Sequence, residues 1–207
     1  MHMLAVLAAL CLAATSVAAQ APRSDGAGSA SACRPLETRS ANAADQRPAF
    51  AGQTRACAVT SKVAFDVVVL ASGLSNPWAV EPLPGGDVLI TEKPGRLRIV
   101  SAKGAIGQSI SGVPRVDARG QGGLLDVCLH PNFAQNRVLY LSYSAEGAGG
   151  NATTVPRAQW GDGGLRGVTK IFEALPRASG GLHFGSRIAF DRAGLMYVTT
   201  GERYNKP

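Results

Sequence analysis

One hairpin recurs three times along this chain, and the recurrence limits the fold more than any other feature. Its first copy runs Trp78-Ala79-Val80-Glu81-Pro82-Leu83, turns through Pro84-Gly85-Gly86-Asp87 and returns as Val88-Leu89-Ile90-Thr91-Glu92. The second runs from Leu124 to Leu129, turns through His130 to Asn136 and returns from Val138 to Tyr143. The third pairs Arg187 to Phe190 with Leu195 to Thr200 across Asp191-Arg192-Ala193-Gly194. Apolar, β-branched runs bounded by Gly, Pro, Asp and Asn read as strands. Gly95 to Val100 and Gly167 to Phe172 are further strands by the same signs, and Phe65 to Leu70 reads as a buried one. The returning strands begin at Val88, Val138 and Leu195, 50 and 57 residues apart. Units of about 40–50 residues, each with roughly four short strands, are the signature of propeller blades. A β-sandwich also has short strands and Gly/Pro turns, but it does not repeat one hairpin three times. No window shows a long amphipathic helix. The expected fold is therefore all-β, a β-propeller. A closed propeller has about four to eight blades, and this chain has room for only the first two to three, so it is expected to be the N-terminal part of a longer protein.

The organisation follows from shifts in composition. Met3 to Ala14 is an apolar run of signal-peptide length, and Val17-Ala18-Ala19 supplies the small residues for cleavage after Ala19. The run is short for a membrane span and lacks flanking basic residues. Residues 1–19 are thus expected to be a signal peptide, 20–62 a leader arm rich in Ala, Ser, Pro and Arg, and 63–207 the propeller portion. The mature protein is expected in the periplasm or outside the cell, with no membrane span. An oxidising compartment favours disulfides, so Cys33 and Cys57, which bracket part of the arm, are expected to pair. Cys128 lies inside an apolar strand and reads as a buried free thiol. No Cys-x-x-Cys pair exists, which argues against a cysteine zinc site or a thioredoxin motif. Net charge is +7, yet the basic residues are scattered; the densest group is Lys93, Arg96 and Arg98. A nucleic-acid binder gathers its charge on one face, so no nucleic-acid partner is expected.

The third hairpin carries a candidate acid–base pair. His183 lies in Gly180-Gly181-Leu182-His183-Phe184-Gly185, where glycines allow close backbone approach to a ligand. If Phe190 faces Leu195 across a two- or four-residue turn, His183 faces Glu202. Opposed antiparallel residues have Cβ atoms ~4.5–5.5 Å apart. A carboxylate at that range holds one imidazole nitrogen and leaves the other as a base. A three-residue loop would shift the register and break this pairing, leaving a surface His–Glu pair at a hairpin end. Gln121, in Arg119-Gly120-Gln121-Gly122-Gly123, offers a donor and an acceptor suited to sugar hydroxyls; the alternative is a plain Gly-rich turn. His130, before Pro131, reads as a turn residue. Asn151-Ala152-Thr153 has the form of a glycosylation sequon.

Several of these segments together resemble a known family. Gly73-Leu74-Ser75-Asn76-Pro77-Trp78 and Thr91-Glu92-Lys93-Pro94-Gly95-Arg96-Leu97 look like the opening blade of the soluble quinoprotein sugar dehydrogenases. Gln121 to Val127, His130 to Ala134, His183 to Arg187 and Gly201-Glu202-Arg203 continue that pattern, and the aldose sugar dehydrogenase branch is the most similar. The resemblance implies a six-bladed propeller that binds pyrroloquinoline quinone with Ca2+ and oxidises the anomeric carbon of aldose sugars to lactones. It implies that His183 is the catalytic base, Glu202 its orienter and Gln121 a substrate contact. Where the family has Asp before the histidine, this chain has Leu182, which departs from the glucose-type cofactor contact. The family's calcium carbonyls and its Arg and Lys contacts to the quinone lie in later blades. An external electron acceptor completes the cycle, and the 207-residue chain alone is expected to be inactive. The alternatives are a non-enzymatic sugar-binding or scaffold propeller and a calcium-dependent lactonase propeller.

Overall fold

The computed structural model describes residues 34–40, 43, 45–47, 49–50 and 55–204. The expected signal peptide 1–19 and Cys33 lie outside the described residues. The chain divides into two units, Met1–Asp66 and Val67–Pro207.

In the first unit the backbone closes a loop on itself. Pro35 and Cys57 form an antiparallel bridge, and Leu36 N–H donates to the Ala56 carbonyl at 2.9 Å. Arg55 Nη1 donates to the Glu37 carbonyl at 2.9 Å. Cys57 is disulfide-bonded. We expect unreduced peptide mapping to join it to Cys33, a link that closes a loop able to stabilise by roughly 3 kcal/mol. Finding Cys33 as a free thiol in protein recovered from an oxidising compartment would contradict the pairing.

The second unit is built from strands. Strands β1 (Pro77–Pro82), β2 (Val88–Glu92), β3 (Arg96–Val100) and β4 (Ile106–Ser109) form one four-stranded antiparallel sheet in sequence order. Strands β5 (Leu124–Leu129), β6 (Val138–Gly147), β7 (Gly150–Gly161) and β8 (Gly164–Glu173) form a second of the same kind. A single helical turn, Phe133–Asn136, sits between β5 and β6. Strands β9 (Gly185–Phe190) and β10 (Met196–Thr200) form a hairpin. Two four-stranded meanders and half of a third are what a repeated hairpin builds when each copy supplies two strands of one blade.

Leu89, Leu97, Leu124, Leu139 and Leu141, all fully or nearly fully buried, share one apolar cluster drawn from the first and second sheets. A second cluster of Val138, Tyr140, Val155 and Ile188 joins the second sheet to the β9–β10 hairpin. Buried polar ties fix the sheets to each other. Thr91 Oγ1 donates to the Leu125 carbonyl at 2.6 Å, Ser142 Oγ to the Ser186 carbonyl at 2.7 Å, and Thr153 Oγ1 to the Phe184 carbonyl at 2.7 Å. Asp126, 1% exposed, accepts from Ile188 N–H and from Arg187 Nη1, each at 2.7 Å. Burying a hydroxyl or carboxylate is costly unless it is bonded, so these groups specify how neighbouring sheets dock.

Two strands depart from expectation. Phe65 to Leu70 forms no strand, and Val67, Val68 and Val69 are 75–83% exposed. Strand propensity reflects packing on a pleated, half-buried surface, and among the described residues no strand pairs with this one. Strand β7 was hidden by its polar composition and by Pro156. Thr153 and Thr154 in it are buried, and the register with β8 shifts between Val155 and Pro156. A proline inside a sheet is tolerated at such an irregularity. The sequon lies in this strand with Asn151 and Thr153 3% and 1% exposed, out of reach of glycosylation. Cys128 is a free thiol, and burial pushes its pKa up to about 12.

Candidate active site

The β9–β10 hairpin turns through a three-residue loop, because Asp191 N–H donates to the Leu195 carbonyl at 3.0 Å. Gly194 takes the left-handed position such a loop requires, φ +84°. The Asp191 carboxylate accepts from Ala193 N–H and Leu195 N–H, both at 2.9 Å. Phe190 consequently faces Met196, one residue beyond the register the sequence suggested. Continued unchanged, this pairing would set His183 opposite Arg203. A β-bulge corrects it. Ile188 faces Val198, but Gly185 faces Thr200, so Ser186 and Arg187 together oppose Thr199. Ser186 lies at φ +97°, and Arg187 N–H is taken by Thr199 Oγ1 at 2.9 Å. Bulges beside functional sites re-aim side chains in this way. Thr199→Val should cost about 1 kcal/mol in a denaturant titration, the value of one side-chain hydrogen bond; an unchanged midpoint would mean the bulge holds without it.

Beyond the bulge, His183 Nδ1 and Glu202 Oε1 lie 2.5 Å apart. Among the described residues none bonds His183 Nε2. The hydrogen bond with His183 holds the Glu202 carboxyl below its ordinary value, so Glu202 stays ionised and fixes the ring with its proton on Nδ1. Three left-handed residues shape this corner: His183, Arg203 and Tyr204 lie at φ +49°, +59° and +61°. The backbone packs so closely that a Cβ on Gly201 would stand 1.9 Å from the His183 carbonyl oxygen. Tyr204 sets its ring edge-on to His183, centroids 5.3 Å apart.

Gln121 reaches the same place from another loop. Its Oε1 accepts from His183 N–H at 2.8 Å, and its own N–H donates to the Gly181 carbonyl at 2.6 Å. The amide orientation follows, since only Oε1 can accept, and the Nε2 group remains to donate. The chain neighbours Gly120 and Leu182 line a cavity of about 490 Å³ together with Arg119, Glu146, Asn151 and Gly180, while Gln121, His183 and Glu202 are not in its wall. Three residues the sequence had singled out, His183, Glu202 and Gln121, are thus brought together. His130 is apart from them: its Nδ1 accepts from Asn132 N–H at 2.9 Å within its own turn.

The comparison with known proteins now decides the family. The profile of the glucose/sorbosone dehydrogenases matches residues 74–207. The chain belongs to this family. It is 43% identical over 147 residues to the aldose sugar dehydrogenase YliI of Escherichia coli, covering 69% of this chain and 39% of that protein. It is 41% identical to the uncharacterized protein slr1608 of Synechocystis, covering 68% and 36%. Among solved structures, the apo form of the soluble aldose sugar dehydrogenase of E. coli superposes with a TM-score of 0.66 at 40% identity, covering 69% of this chain and 42% of that one. The PQQ-bound aldose sugar dehydrogenase of Streptomyces coelicolor gives 0.59 at 32%, covering 67% and 42%. As in the rest of this dehydrogenase family, the sheets are blades of a β-propeller, and the chain spans well under half the length of these relatives.

Sequence reasoning missed the polar frame behind the pair. Arg203 was visible only as part of Gly201-Glu202-Arg203, and Asn151 only as a sequon. Asp117 joins them: it accepts from Asn151 Nδ2 at 2.8 Å and from Arg119 Nη2 at 2.8 Å. The Arg119 guanidinium holds the Asp117 carboxyl well below the usual carboxylate range. Its contribution to stability is then complete above the unfolded value near pH ~4 and is lost as pH falls further. Asp117→Asn should therefore flatten the acid limb of a pH–stability curve; an unaltered limb would contradict the assignment.

Proposed function

We propose that the complete protein to which these blades belong oxidises the anomeric carbon of an aldose to the lactone, with His183 as the base. The observation that carries this reading is an imidazole held by a carboxylate through Nδ1, with no hydrogen bond to its Nε2 among the described residues. Fit to pyrroloquinoline quinone rests on that donor chemistry: alcohol oxidation needs a group to take a hydroxyl proton, and the carboxylate at Nδ1 leaves His183 Nε2 for that task. Pyrroloquinoline quinone, when bound, accepts the hydride from the sugar C1. The protein's own work is to place and deprotonate the sugar. His183 Nε2 takes the C1 hydroxyl proton, Glu202 stabilises the imidazolium through Nδ1, and Gln121 Nε2 donates to a sugar oxygen. Among the described residues no three His, Cys, Asp or Glu side chains gather as a metal site. Ca2+ enters only through the family resemblance, and no step here runs through it.

An external electron acceptor must reoxidise the cofactor. The signal-like segment supports a periplasmic or secreted location, and no helix among the described residues is long and apolar enough to cross a membrane. Complete protein supplied with quinone, Ca2+, an aldose and a dye acceptor should bleach the dye in a sugar-dependent way. Sugar binding without bleaching would favour a binding propeller, and lactone hydrolysis without bleaching a lactonase.

A further inference from the structure

The peptide group that joins Leu182 to His183 is held at both ends. Its N–H donates to Gln121 Oε1 at 2.8 Å. Its carbonyl accepts from Arg203 Nε at 2.8 Å. The His183 φ angle is the rotation that carries this peptide plane relative to the His183 side chain, so pinning the plane pins the imidazole. The angle sits at +49°, and left-handed backbone at a non-glycine residue is strained and persists only where surrounding contacts hold it.

Arg203 supplies one of the two bonds that hold this peptide, and the rest of its guanidinium is itself anchored. Its Nη1 donates to the Asn151 carbonyl at 3.0 Å, and its Nη2 to Asn151 Oδ1 at 2.5 Å and to the Gly180 carbonyl at 3.2 Å. The guanidinium lies 3.9 Å from the centre of the Phe184 ring. Asn151, 3% exposed, passes the constraint on through Nδ2 to Asp117 at 2.8 Å and to the Gly180 carbonyl at 2.9 Å. One guanidinium thus grips the residues on both sides of His183 while its own backbone follows Glu202 directly.

We propose that Arg203, backed by Asn151 and Asp117, is the positioning residue that sets the His183–Glu202 geometry. This rests on the reading of His183 as the base. The planar fork and the stack on Phe184 make the role specific to arginine, because lysine is a flexible point charge that cannot make the parallel bonds. Arg203 acts through the backbone of the base.

The test is Arg203→Lys in the complete, quinone-loaded protein, with Arg203→Ala as the second variant. Turnover, KM and thermal midpoint are measured together with the imidazole 15N shifts of His183, which report whether the proton stays on Nδ1. Misplacing a catalytic group by about 1 Å costs on the order of 100-fold. Arg203→Lys is expected to lower kcat by ~10–100-fold with KM nearly unchanged, and to mix the two His183 tautomers. Guanidinium ion is expected to restore part of the activity of Arg203→Ala. Wild-type kcat and an unchanged imidazole spectrum in Arg203→Lys would overturn the proposal, as would a loss of kcat that only tracks unfolding and is not rescued. The spectrum separates this from the base assignment: if His183→Ala keeps full turnover, the base reading fails, while mixed tautomers in Arg203→Lys would still show Arg203 fixing the ring.

Discussion

His183→Ala should lower kcat of the complete enzyme by ~10²–10⁴-fold, the usual worth of general acid–base assistance. Quinone affinity should hardly move, since the resemblance places the main cofactor contacts in later blades. The reason lies in how little else can take the proton. Glu202 is committed to His183 Nδ1 at 2.5 Å, and His130 is tied into its own turn. Glu202→Gln should cost less, because a glutamine oxygen can still accept from Nδ1 while the charge that stabilises the imidazolium is gone. Steady-state kinetics with separate quinone titrations read both effects. Near wild-type kcat in His183→Ala would assign the proton to another group. Equal damage in Glu202→Gln would mean that the carboxylate does more than orient.

Asp126→Ala should destabilise the fold by about 2–3 kcal/mol without touching the reacting groups. The carboxylate is the joint between β5 and β9, buried to 1% exposure and bonded to Ile188 N–H and Arg187. Burial pushes its pKa up while those two donors pull it down. Truncation strands the Ile188 N–H, in a residue only 4% exposed. The Arg187 side chain is 60% exposed and can hydrate. The loss is therefore smaller than the ~3–5 kcal/mol of breaking a fully buried ion pair. Asp126→Asn keeps an acceptor for Ile188 and should lose about half as much. Chemical denaturation of the three proteins checks the order; a midpoint unchanged in Asp126→Ala would mean the sheets dock by apolar contact alone.

The strands that the sequence made plain are those whose burial is apolar. Leu124 to Leu129 and Val138 to Tyr143 read as a pair because their side chains fill the core, and β5 and β6 occupy those residues. Where burial is polar the pattern fails. Strand β7 hides Thr153 and Thr154 behind hydrogen bonds that only the fold supplies, and Asn151 showed in the sequence only as part of a sequon for the same reason. Phe65 to Leu70 shows the converse, an apolar run that needs a partner strand to be buried. The His183–Glu202 pairing came from a register that does not hold along the hairpin: the three-residue loop displaces it by one, and the bulge at Ser186 and Arg187 restores it. Gly194 supplies the left-handed position of the loop and is a mark of it, whereas the bulge at the non-glycine Ser186 has no sequence signature of its own. Arg203 could not be foreseen as a clamp, because its acceptors, the backbone carbonyls of Asn151, Gly180 and Leu182 and the Asn151 side-chain oxygen, come together only in three dimensions.

The central claim is that these blades carry the base of a quinone-dependent aldose oxidation. It is tested most directly by mixing the complete, quinone-loaded protein with an aldose in the absence of any acceptor and following the quinone absorbance through a single turnover. The expected result is sugar-dependent reduction, one lactone formed per quinone, slowed ~10²–10⁴-fold in His183→Ala at unchanged quinone occupancy. Sugar binding with no change in the quinone, or reduction at the same rate in both proteins, would contradict it.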